Sequence, residues 1–166
     1  MYLTKPVSPL LRLSFEQVNP GSLPLVALSV CILWYGVRIC GLRVSAGHVL
    51  GYLVWVTLMI VLWYEMEVII RSLTFFLVST VNITRLEDAG IDLCMKIPGV
   101  VFRGIYKLLF YVILPYGIVA TFPTMYLSGD GTLKMWLYGI AVVTAFGGIT
   151  AFLWKTGLKQ YNSVSS

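Results

Sequence analysis

The stretch from Arg103 to Gly129, RGIYKLLFYVILPYGIVATFPTMYLSG, constrains the fold more than any other part of the chain. It is apolar and long enough to enter a bilayer, where a span takes roughly 20 mostly apolar residues. Yet it carries Pro115 close to Gly117, and then Pro123. Proline removes a backbone donor and clashes with the preceding turn, so the sequence predicts a break or kink near Leu114–Gly117. One reading is an ordinary proline-kinked span. The other is a broken helix whose freed backbone groups are satisfied by surrounding protein or a watery cavity, as in transport proteins.

Composition places the rest of the chain in the same solvent. Hydrophobic residues make up 58% of it and charged residues 11%. Soluble domains carry about 25% charged residues, so this composition is that of an integral membrane protein. In 166 residues there is no long soluble stretch, which leaves room for one membrane domain. The net charge of +5 does not point to nucleic acid, because the basic residues sit singly at span ends, where headgroups lie. Cys31, Cys40 and Cys94 form no C-x-x-C and read as small hydrophobes. Pro6 and Pro9 interrupt the first residues, so no signal peptide is expected there.

In chain order, residues 1–22 read as a cytoplasmic surface segment carrying Lys5 and Arg12. Residues 23–42 form the first apolar helix, with Arg38 near its far end, able to snorkel beside Arg43. The short connection 41–47 predicts an antiparallel return. A second apolar pattern runs over 48–78. As one helix it would be about 46 Å long, more than the roughly 30 Å hydrocarbon core, so it projects or bends. Glu67 and Arg71 are spaced i,i+4 with the acid first, the favourable order for an ion pair. They either cap the span at the interface or line a path. Glu65 has no obvious helical partner, and intramembrane acids default to function, so all three are translocation-path candidates, Glu65 first.

Residues 80–97 interleave Arg85, Glu87, Asp88, Asp92 and Lys96 with apolar positions, which is too much charge for a lipid-facing helix. The segment is either an amphipathic surface helix or a crossing sheltered in a bundle. A broken apolar helix over 105–126 and a last apolar helix over 133–154 complete the pattern. In the last helix, Gly147 and Ala151 give a small-xxx-small face for close approach. Lys155 and Lys159 just past it place the C-terminus in the cytoplasm. The predicted class is therefore an all-α polytopic membrane bundle of about four long apolar helices plus one amphipathic or sheltered helix. The third crossing is made either by 105–126 or by 80–97, and charge cannot choose between them. Soluble-style chemistry is absent. His48 has no second ligand at metal spacing, and no nucleophile motif or phosphate-binding loop is present. No catalytic residue, bound cofactor or metal is expected.

Three segments together carry a family resemblance. The broken stretch, with Pro98, Lys107-Leu108-Leu109, Leu114-Pro115, Phe122-Pro123 and Leu127-Ser128-Gly129, resembles the last third of type-2 ABC exporter permeases. The tail Trp154-Lys155-x-Gly157-Leu158-Lys159-x-Tyr161-x-Ser163 is similar to the C-terminal signature of one bacterial subgroup. The opening Leu3-Thr4-Lys5-Pro6-Val7-Ser8-Pro9-Leu10 is similar to that subgroup's cytoplasmic segment between its second and third spans.

The resemblance implies a permease domain over 1–166 that moves substrate out of the cell by alternating access. A separate ABC ATPase would use the ATP, and a second permease copy or a homologous permease would complete the unit. It implies a place in the bacterial inner membrane with both termini cytoplasmic. Lys5, Pro6, Pro9 and Arg12 would belong to the segment receiving the ATPase's motion. Residues 80–97 would be the fifth crossing, and the segment containing Pro115, Gly117 and Pro123 the outer re-entrant hairpin. Family members have six spans, so this chain would be the C-terminal part, lacking the first two. Around Val100 and Arg103 it also lacks an acid and a second proline that relatives often have. The alternatives are a non-transporting membrane interaction protein, such as a degenerate permease remnant, and a small ion-coupled transporter using Glu65.

Overall fold

The computed structural model describes residues 20–73, 81–97 and 99–164. The opening segment with Lys5, Pro6, Pro9 and Arg12, the stretch 74–80 and Pro98 lie outside the described residues. The described residues are mostly helical, with no strand among them. It divides into two compact units, Met1–Arg43 and Val44–Ser166.

In the first unit, α1 spans Leu23–Ile39 after a single 3₁₀ turn at Pro20–Ser22. Pro24 lies in the first turn, where its missing N–H costs nothing. The helix stops three residues before the predicted end because Gly41 takes a left-handed φ of 62°. That turn lets the Gly41 and Leu42 N–H groups donate to the carbonyls of Arg38 and Val37. Arg38 folds back over the Trp34 ring at 5.2 Å, the posture expected of a cation at the end of a span.

The second unit is built on α2, Ala46–Ser72. Its 27 residues give a length of about 40 Å, so it overshoots the hydrocarbon core as the sequence predicts. It begins at a capping interaction, the Nδ1 of His48 lying 2.8 Å from the Ser45 hydroxyl, which gives the lone histidine a structural post. Trp55, Met59, Leu62, Glu65, Val68 and Ser72 recur every three to four positions and, with Met66 beside them, form one buried stripe. That stripe packs against α5 (Tyr116–Ser128) and α6 (Leu133–Val164). Gly139 of α6 makes room for the Trp55 ring, since a Cβ there would come within 2.5 Å of it. Trp55 in turn meets Phe122 edge-on at 5.3 Å.

Between these lies α3, Val81–Lys96, whose Arg85, Asp88, Asp92 and Lys96 are exposed, while Glu87 and Cys94 turn inward. Lys96 pairs with Asp92 at 2.7 Å, as the i,i+4 spacing predicts. Among the described residues three helices are long and apolar enough to cross a membrane: Pro20–Ile39, Ala46–Ser72 and Leu133–Gly157. α3 is not among them, and its 16 residues reach only about 24 Å. A fourth crossing would be the bent pair Ile105–Ile113 and Tyr116–Ser128, which turns through 87°.

That bend falls where the proline predicts it, and the structure shows how it is made. α4, Ile105–Leu108, runs into a π-helical turn at Leu109–Ile113, whose wide ring closes with the Leu114 N–H on the Leu109 carbonyl at 2.8 Å. Pro115 then opens α5. In an unbroken helix residue 115 would donate to the carbonyl of Tyr111, and proline cannot. The Tyr138 hydroxyl of α6 donates to that carbonyl instead. Left bare in hydrocarbon, such a group costs several kcal/mol, so this bond is what allows a proline break at this depth. Gly129, at φ 92°, closes α5, with the Asp130 N–H on the Met125 carbonyl.

Candidate functional site

The predicted path residues Glu65, Glu67 and Arg71 share one helix but not one environment. Glu67 and Arg71 form the expected ion pair, Nη2 to Oε2 at 2.9 Å, with the arginine side chain 63% exposed. A pair that open contributes about 0–1 kcal/mol, so it does little to stabilise the helix. Glu65 is buried and faces α6. A Cβ added to Gly147 would lie 2.9 Å from its Oε1, so the glycine is what leaves space for the carboxyl. Its Oε2 is buried and makes no hydrogen bond. The Thr150 hydroxyl donates to the Glu65 backbone carbonyl at 3.3 Å, which ties the helices together without satisfying the side chain. Gly147 thus belongs to the close helix contact that the small-xxx-small pattern predicts, whereas Ala151 is exposed and Gly139 is its partner in that role.

Pro115, Gly117 and Pro123 are all buried in the bent hairpin. Gly117 lets the chain double back, since a Cβ there would sit 2.8 Å from the Phe110 carbonyl. Gly99, from the turn Gly99–Val101, rests directly on α5. Its N–H donates to the Thr121 hydroxyl at 3.0 Å, and that hydroxyl donates to the Gly117 carbonyl at 2.7 Å. Pro123 lines a groove of about 490 Å³ between α2 and α5, walled by Met59, Trp63 and Val119 with Glu67 at its polar edge.

Sequence reasoning missed the acid that the structure places at the bend. Glu87 is buried and accepts a hydrogen bond from the Tyr116 hydroxyl at 2.8 Å. It lies on α3, outside the spans, and burial pushes its carboxyl above the usual range. The Tyr116 bond opposes that shift, Glu67 and Asp88 add to it, and Arg71 opposes it. The signal was present: on α3 the inward positions Ile83, Glu87, Ile91 and Cys94 follow helical spacing, with the glutamate inside the apolar stripe. The structure therefore brings Glu67, Arg71, Glu87 and Tyr116 into one electrostatic neighbourhood beside the break and leaves Glu65 apart, on the α2–α6 seam. Among the described residues no cluster of histidine, cysteine or acidic groups could hold a metal ion.

Apolar spans, a proline-broken hairpin whose freed carbonyl is satisfied by a neighbouring helix, and one buried acid beside it are the features of a polytopic membrane protein. The family model described as ABC-2 family transporter protein matches residues 1–165, and the chain belongs to that family. It is thus a type-2 ABC transporter permease, a multi-pass membrane protein of a family that usually pairs with an ABC ATPase. No curated protein and no solved structure matches it.

Proposed function

We propose that this chain serves as the membrane subunit of an ATP-driven exporter, moving substrate across the bacterial inner membrane by alternating access with a separate ATPase. What carries the reading is the hairpin bent by 87° at Pro115 and seated against α2 and α6, within a chain that matches the permease family from end to end. A broken helix whose freed backbone groups are satisfied by neighbouring side chains is an element that transport proteins use at membrane depth. Lys5, Pro6, Pro9 and Arg12 would receive the ATPase's motion on the cytoplasmic side, where both termini lie. A second copy of the chain, or a homologous permease, would face the first across the bilayer. ATP is bound by the partner, and nucleic acid has no part in the cycle.

Glu65, Glu67 and Arg71 are the chain's candidates for the translocation path. The test is to coexpress the chain with the ABC ATPase of its own organism, capture it from membranes and measure ATP turnover in proteoliposomes. Co-purification with a change in turnover upholds the reading. The absence of both association and any change in turnover sinks it. Glu65→Gln sharpens the mechanism: ATP-driven turnover should survive it, whereas ion-coupled transport through that carboxyl would be abolished.

A further inference from the structure

A second cavity, of about 740 Å³, lies between the first arm of the hairpin, the α5–α6 turn and the start of α6. Its interior is apolar, with Phe102, Val112, Phe122 and Met135 on its walls. Leu108 and Val112 are themselves half exposed, so the apolar wall continues onto the outer surface of this unit. At the rim the chemistry changes. Lys107 of α4, Lys134 in the first turn of α6 and Asp130 of the connecting turn all line it. Lys107 lies over the Tyr111 ring at 5.7 Å. The Asp130 carboxylate is 3.1 Å from the Ser128 hydroxyl, and neither lysine forms an ion pair with an acid among the described residues. Two ammonium groups against one carboxylate leave the rim net positive.

The position in the bilayer follows from α6. Its span begins at Leu133, so Lys134 stands at headgroup level, on the face opposite the helix's C-terminal end. A cationic rim at headgroup depth, over an apolar cavity that runs towards the hydrocarbon, matches one kind of molecule. It must have an anionic head and an alkyl tail.

We propose that this cavity binds an anionic phospholipid of the surrounding bilayer, its phosphate between Lys107 and Lys134 and one acyl chain along Phe102, Val112 and Met135. Bound there, the lipid bridges the hairpin's first arm and the start of α6. It is a resident of the permease rather than its cargo, so the inference does not depend on the export reading.

The test is native mass spectrometry of the full chain in mild detergent, titrated with dioleoyl phosphatidylglycerol or with dioleoyl phosphatidylcholine, which has the same tails. Phosphatidylglycerol should bind about tenfold or more tightly, since each lysine near an anionic surface favours it. The preference should shrink as salt is raised. Lys107→Gln with Lys134→Gln should abolish it, and the two arginine substitutions should restore it. Val112→Trp, at a half-exposed wall position that tolerates bulk, should weaken both lipids alike. Equal affinity for the two lipids, or a preference that survives the double glutamine variant, overturns the proposal. Displacement of phosphatidylglycerol by inorganic phosphate alone would overturn it too, because the acyl chain would then contribute nothing. Should the glutamine variant fail to fold, the salt titration of the unmodified chain decides.

Discussion

Glu87 and Glu65 are both buried, but one is built in and the other is only accommodated. Glu87 receives the Tyr116 hydroxyl at 2.8 Å and so fastens α3 to the first residue after the break. Glu65 sits on the α2–α6 seam with Oε2 unpartnered, in space left by a glycine. Burying a carboxyl is costly, and a hydrogen bond recovers part of that cost. At Glu87 the recovered energy holds the hairpin's geometry. At Glu65 no hydrogen bond to Oε2 among the described residues recovers it, so the stability of the fold does not explain the residue. This is the physical ground for ranking Glu65 above the exposed Glu67–Arg71 pair as a path residue.

The contrast is between a region locked by specific bonds and a seam that tolerates change, and it breaks first at Gly99. A Cβ there would meet the Gly117 carbonyl and the Thr121 hydroxyl, both at 2.3 Å, so α5 itself must move. Gly99→Ala should cost about 3 kcal/mol, at the upper end of overpacking, read as a loss of thermal stability of the detergent-purified chain. A loss under about 1 kcal/mol would mean that the turn is not seated on the hairpin. Tyr116→Phe comes next. It strands the Glu87 carboxyl at a cost of about 2 kcal/mol, and combining it with Glu87→Leu should recover much of that, because both polar ends are then gone. Additive losses in the double variant would show that the two side chains are not coupled.

The break itself was legible because proline chemistry is local: Pro115 dictates which carbonyl is orphaned before any tertiary structure is known. What no local rule supplies is the donor that rescues the Tyr111 carbonyl, since Tyr138 comes from another helix 27 residues away. The second apolar helix was legible in its start and its overshoot, though it ends at Ser72, and residues 74–78 of the predicted range lie outside the described residues. Reading the last helix through Gly147 and Ala151 found Gly147 in the close contact but gave it the wrong partner, because spacing alone cannot tell Ala151 from Gly139. The Trp55 ring, fixed by α2, decides that. Glu87 was legible in the stripe of α3 but was outweighed by the charges around it, so it passed as one more charge of an amphipathic or sheltered helix.

Glu65→Met sharpens the comparison from the other side. It replaces an unpartnered carboxyl with an apolar chain of similar length, so the chain should gain about 1 kcal/mol. If Glu65 lines the translocation path, the same substitution should lower substrate transport while ATP turnover persists and stability rises, the opposite of what Tyr116→Phe does to the fold. Destabilisation by a comparable amount would mean that the carboxyl has a partner, and the distinction between the two acids would collapse.

The smallest effect is the most diagnostic of the seam. Gly147→Ala brings a Cβ to 2.9 Å from Glu65 Oε1, but that atom ends a flexible side chain and can swing away. Alanine also gains up to about 1 kcal/mol over glycine in a helix, so the net change should lie within about 0.5 kcal/mol of zero. In a Glu65→Ala background the obstacle is gone, and the same substitution should become stabilising by most of the helix term. That difference between backgrounds is the coupling between Gly147 and Glu65, measured by thermal unfolding of the four chains. A nonzero coupling shows that the glycine makes room for the carboxyl. Strict additivity would mean that the carboxyl already points elsewhere and that α2 and α6 meet for other reasons.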